Sequence, residues 1–117
     1  MSFNMSAGIS ALRAHGTRMS VISHNVANCS TEEFKKSRAL LKEGPAGTVG
    51  VDISTVESPG PVVYERSGSG KVMREMSNVD LGEEITRTIP CELGYTANLE
   101  IIRTEDEMQG VLLDLLA

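Results

Sequence analysis

The residues of this chain able to do chemistry are His15 and His24, Cys29 and Cys91, a carboxylate run at Glu105-Asp106-Glu107 with Glu83 and Glu84, and the Gly-Lys pair of SGSGKV. Two histidines nine positions apart on a straight helix are separated by two and a half turns, so they face different sides and form no metal pair. The cysteines are far apart in sequence, lack metal-ligand spacing and carry no flanking nucleophile signature, so they read as buried thiols. The acidic run lacks the spaced Asp/Asn pattern and the glycine of a calcium loop, and reads as a solvated helix face. A phosphate loop needs glycine five positions before Gly70, where Glu65 stands, and Ser or Thr where Val72 stands. SGSGKV is therefore a hairpin turn. Asn28-Cys29-Ser30 matches the glycosylation triplet but has no secretory context. These residues assign no catalytic group, cofactor or metal, and the chain reads as a non-enzyme.

The elements explain more. At 117 residues the chain makes one domain at most, and with aromatic residues at 3% its core must come from Leu, Ile, Val, Met and Ala. Such a core suits helix packing. The net charge of -5 argues against nucleic acid. Its distribution is polar: residues 1–43 carry six Lys or Arg against three acids, residues 44–77 three against four, and residues 78–117 two against nine. The opening MSFNMSAGIS has neither a basic start nor a long apolar run, so no cleaved signal is expected, and no segment is apolar enough for membrane insertion.

From Met5 the apolar and small residues Ile9, Leu12, Gly16, Met19, Ser23 and Val26 alternate at spacings of four and three, with Ile22 broadening the stripe. This predicts an amphipathic helix of about 25 residues carrying a heptad seam. Its end lies in SHNVANCST, where Asn25 and Asn28 favour side-chain bonds to backbone. Ser30 with Glu33 fits a capping box, predicting a short helix through Phe34, Leu40 and Leu41, with an extended segment as the rival. Between Gly44 and Met76 the helical period disappears. Val49, Val51 and Ile53 alternate as a strand, Pro59-Gly60-Pro61 turns into Val62-Val63-Tyr64, and Ser67 to Gly70 turns again before Val72 and Met73. Asp80 is the expected N-cap of a last helix, with Glu83 completing a box. Ile85, Ile89, Leu93, Ala97, Ile101, Met108, Leu112 and Leu115 form its apolar face, widened by Leu99, Ile102 and Leu116. Pro90 predicts a kink or break near Thr86 to Pro90. The expected fold is mainly α: two long terminal helices with coiled-coil-like pairing (1–43 and 78–117) around a small β-rich insert (44–77).

At both ends the residues resemble the flagellar basal-body rod and hook axial proteins, most closely the short proximal rod subunits. The first helix carries Ser10-Ala11-Leu12, Ala14, Arg18, Ile22, Asn25, Ala27 and Asn28, then Ser30-Thr31 and Phe34-Lys35; the last begins Asn78-Val79-Asp80 and continues through Glu84 to Tyr95, Ala97 and Asn98. The resemblance implies a subunit whose terminal helices pack with copies of itself and other rod proteins in the basal-body rod, a periplasmic shaft reached through the flagellar type III export apparatus without a cleaved signal. It implies a homo-oligomeric assembly interface at Ile9, Leu12, Met19, Ile22, Asn25, Val26, Asn28, Ile85, Ile89, Tyr95, Asn98, Leu99, Ile102, Met108 and Leu112.

Two departures stand against that pattern. Thr31-Glu32-Glu33 replaces the family's Thr-Pro-Gly and predicts that helix continues there. Pro90-Cys91-Glu92-Leu93-Gly94 adds a breaker and a glycine to a helix expected to be continuous. They admit an alternative, a soluble rod-protein paralogue acting as an oligomeric interaction or assembly-regulating module.

Overall fold

A computed structural model describes residues 5–117; Met1–Asn4, the start of the segment read for a secretory signal, lies outside the described residues. Helix α1 spans Met5–Ala27, strands β1 (Ser37–Glu43) and β2 (Val49–Thr55) form one antiparallel hairpin, β3 (Val62–Ser67) and β4 (Gly70–Glu75) form a second, and helix α2 spans Leu81–Leu116. The architecture is two terminal helices with a small four-stranded β insert in two separate sheets.

Helix α2 is 36 residues long, about 54 Å at the rise of an α-helix. It runs antiparallel to α1: Asn25 meets Glu84, while further along His15 meets Cys91 and Gly94. The β1–β2 hairpin lies along another side of α1, held where Ser37 exchanges two hydrogen bonds with Asn25 and where the Val49 amide donates to Ser10 Oγ at 3.0 Å. Helix α1 is therefore the central element. From Asp106 to Ala117 every residue is exposed.

The β3–β4 hairpin springs from the end of the molecule where α2 begins, and with α2 gives a body 85 Å long and 23 by 16 Å across. Gly68, at φ 59, makes the tight turn that joins its strands.

One open alternative is decided and one expectation is narrowed. The residues after Ser30 form no helix, and the extended alternative holds. Glu33 sits at φ 58 in a left-handed turn, its amide bonded to the Glu75 carbonyl, and Leu40 and Leu41 lie in β1 opposite Asp52 and Val51. Pairing with β2 decides the matter: a ladder along the whole strand outweighs a local capping signal. Nor does Pro90 break α2, which is continuous through it. Both Pro90 and Thr86, whose carbonyl loses its intrahelical donor, are exposed, so water can satisfy that carbonyl.

Asp80 is the N-cap, as its sequence context predicts, accepting from the amides of Gly82 and Glu83. The carboxylate of Glu83 is engaged instead by Arg38 and Arg87.

Candidate assembly interface

The junction of α1, β1 and α2 is built on Asn25 and Glu84, both wholly buried. The Asn25 side-chain amide donates to the Ser37 carbonyl at 2.9 Å and to Glu84 Oε2 at 3.2 Å, while its Oδ1 accepts from the Ser37 amide at 3.0 Å. Arg38 closes the network, donating to Glu84 Oε1 at 2.6 Å and to Glu83 Oε1 at 2.7 Å. Burial opposes the guanidinium charge, but the hydrogen bonds to Glu84 and Glu83 outweigh it and raise the Arg38 pKa. The bonds from Arg38 and Arg87 hold the Glu83 carboxyl below the usual carboxylate range. Buried ionisable groups are tolerated because each polar atom has a partner.

Asn78 makes the second junction. Its Oδ1 accepts from the Lys36 amide at 2.7 Å, and its Nδ2 donates to the carbonyls of Val56 and Ser58, each at 2.9 Å. One side chain thus ties the entry of α2 to the starts and ends of the strands.

Farther along, the helices touch through small or polar residues. The Cys91 thiol, pushed up in pKa by its burial, donates to the His15 carbonyl at 3.1 Å. A Cβ on Gly94 would stand 2.6 Å from the His15 ring, so glycine makes room for the imidazole. Burial, with Arg18 nearby, lowers the His15 pKa, and its Nδ1 has no hydrogen-bond partner among the described residues. His24 is exposed on another side of α1, edge-on to Phe34. The buried apolar core among the described residues is slight: Ala11, Ala14, Ile22 and Cys91.

The large apolar residues mostly point the other way. Of the residues expected at an assembly interface, Ile9, Ile85, Ile89, Tyr95, Leu99, Met108 and Leu112 are exposed. Leu12, Met19, Val26 and Ile102 are half-buried at the margins of the helix pair. Ile22 and Asn25 are buried inside the chain, and Asn28 and Asn98 donate to carbonyls of their own helices at His24 and Gly94. Sequence reasoning missed Arg38, Ser37 and the His15–Gly94 contact as organising features. Their types are unremarkable locally, and only the fold brings them to the junction. Among the described residues no group of three or more His, Cys, Asp or Glu could hold a metal ion, and no helix is long and apolar enough to cross a membrane.

Comparison with known proteins gives two family matches, one at each end. Residues 5–35 match the flagella basal body rod protein model, and residues 70–115 match the model of the C-terminal region of flagellar basal body rod FlgEFG proteins. Among curated proteins, the chain is 27% identical over 114 residues to the flagellar basal-body rod protein FlgC of Escherichia coli O6:H1, covering 85% of each chain. The FlgC of Escherichia coli O157:H7 matches to the same extent.

Proposed function

Because this chain belongs to the flagellar basal-body rod protein family, a structural and not an enzymatic one, we propose that it is a subunit of the bacterial flagellar basal-body rod that assembles through its terminal helices. What supports the reading is the outward turn of the apolar face on helices whose mutual contact is small and polar. Ile85, Ile89, Leu93, Leu99, Met108 and Leu112 lie in water in the single chain, and the chain's own core is too slight to be robust alone. Neighbouring subunits supply the missing burial, in coiled-coil-like contacts with copies of this chain and with other rod proteins. In this reading α1 and the segment 78–117 are the assembly parts, and the insert between them begins with β1 at Ser37, ahead of the expected boundary at 44, and runs to residue 77. The location that follows is the basal body, in the periplasm, reached through the flagellar export apparatus.

The reading is tested with Leu99→Asp. Leu99 is exposed, so the substitution leaves the helicity of the single chain unchanged while placing a charge in an apolar contact. The expected outcome is a folded, exported chain absent from purified hook–basal bodies. Normal incorporation of the variant contradicts helix-mediated assembly.

A further inference from the structure

The β3–β4 hairpin is a two-stranded sheet that neither helix covers: all of β3 and all of β4 except Glu75 are exposed. Such a hairpin is marginal in water unless something packs on it. Its register places Tyr64 opposite Met73 and Arg66 opposite Lys71, all four on one face. Tyr64 is 66% exposed and Met73 65%, an apolar pair with no cover. Arg66 and Lys71 make no ion pair among the described residues, and two like charges directly opposite one another repel. Arg74 and Lys35, by contrast, have acidic partners. One face of the hairpin is thus apolar at its centre and carries uncompensated positive charge at its tip.

The complement stands at the opposite end of the molecule. Beyond Glu105, α2 extends with every residue exposed, and Met108, Val111, Leu112 and Leu115 form one open apolar face of the helix beside Glu107. Glu107, which Arg103 reaches from one turn earlier at 3.3 Å, and Asp114, which makes no ion pair among the described residues, are seven residues apart, so they lie one above the other along one flank of that face. Apolar centre and charged flank match the hairpin face in kind and in opposite sign.

We propose that the Tyr64–Met73 face of one subunit docks on the C-terminal end of α2 of a second copy, with Tyr64 and Met73 over Met108 and Leu112 and with Arg66 and Lys71 against Glu107 and Asp114. The two surfaces are different and lie at opposite ends of an elongated body, so the contact is head-to-tail and propagates as an open, polar chain. For its setting in the cell, the inference rests on the reading of the protein as a rod subunit.

The test is sedimentation velocity of the full chain over a concentration series, using wild type, Arg66→Glu with Lys71→Glu, and Glu107→Lys with Asp114→Lys. Circular dichroism first checks that the exposed substitutions leave helicity intact. Wild type is expected to form oligomers that grow with concentration. Each doubly substituted chain alone should associate more than about tenfold more weakly, because like charges then face each other. An equimolar mixture should recover association, since each altered surface meets its new complement. Wild type that stays monomeric throughout, charge-reversed chains that associate like wild type, or a mixture with no recovery would each overturn the docking. Two results separate this inference from the rod reading. Chain present in hook–basal bodies whose assembly tolerates both charge reversals leaves the rod reading standing and overturns the docking. Recovery in the mixture with the chain absent from basal bodies does the reverse.

Discussion

The side-chain amide of Asn25 donates to the carboxylate of Glu84 at 3.2 Å, joining α1 to α2 across 59 residues of sequence inside a wholly buried site. Because Arg38 binds the other Glu84 oxygen, three elements meet at one carboxylate. The asparagine near the end of α1 thus serves the fold of the single chain.

Arg38→Ala leaves Glu84 buried without its cation and should destabilise the chain by about 3–5 kcal/mol. Arg38→Lys keeps the charge but cannot reach Glu83 and Glu84 with two forked donors, and should fall between. Urea unfolding followed by circular dichroism orders the three proteins. Equal midpoints for alanine and wild type would contradict the network's role.

Glu33 occupies a left-handed conformation that strains any residue with a Cβ. Glu33→Gly should therefore stabilise by about 0.5–1 kcal/mol, since the exposed carboxylate makes no ion pair among the described residues. A lower melting temperature in this variant would show that the side chain contributes more than the strain costs.

Pro90 deprives the Thr86 carbonyl of its helical partner without ending α2. Pro90→Ala restores that bond at an exposed position and should raise stability by about 1–3 kcal/mol, read as a higher thermal midpoint. No gain would mean that the proline is already fully accommodated by the helix.

Much of this was legible in the sequence, and the misreadings have physical causes. Alternation at Val49, Val51 and Ile53, the turn at Gly68 and the Asp80 cap are local signals that survive in the fold. Around Leu40 and Leu41 the local signals favour a helix and leave an extended segment only as the rival, because the strand exists by pairing with residues 49–55, which no local window contains. Periodicity found the apolar stripes on both helices but could not say what they meet. Between the helices Cys91 and Gly94 pack against His15, and apart from Ile22 the larger apolar side chains among the described residues are not buried.

His15, Glu83 and Glu75 shape the acid response. Their folded-state pKa values are all lowered, so the unfolded chain binds more protons and stability rises with pH. The His15 contribution is complete above the ordinary imidazole value of 6.5 and is lost as pH falls through the lower folded value; those of Glu83 and Glu75 are complete above the ordinary carboxylate value of 4.5 and are lost likewise in more acid solution. Urea midpoints should decline in two steps from pH 7.5 downward, and His15→Leu should remove the first. A midpoint independent of pH across the histidine window would contradict burial of a neutral imidazole.

Gly94→Val puts a branched side chain against the His15 ring and should cost about 1–3 kcal/mol through overpacking. In the background of His15→Ala the same substitution should cost less, because the obstructing ring is gone. Equal costs in both backgrounds would show that the two residues do not interact.

The central claim is that this chain is built into the rod, and mass spectrometry of hook–basal bodies purified from the source cell addresses it most directly. The polypeptide is expected in stoichiometric amount beside the other rod proteins. Its absence from that fraction, with the protein recovered as a discrete soluble species, would contradict its place in the rod.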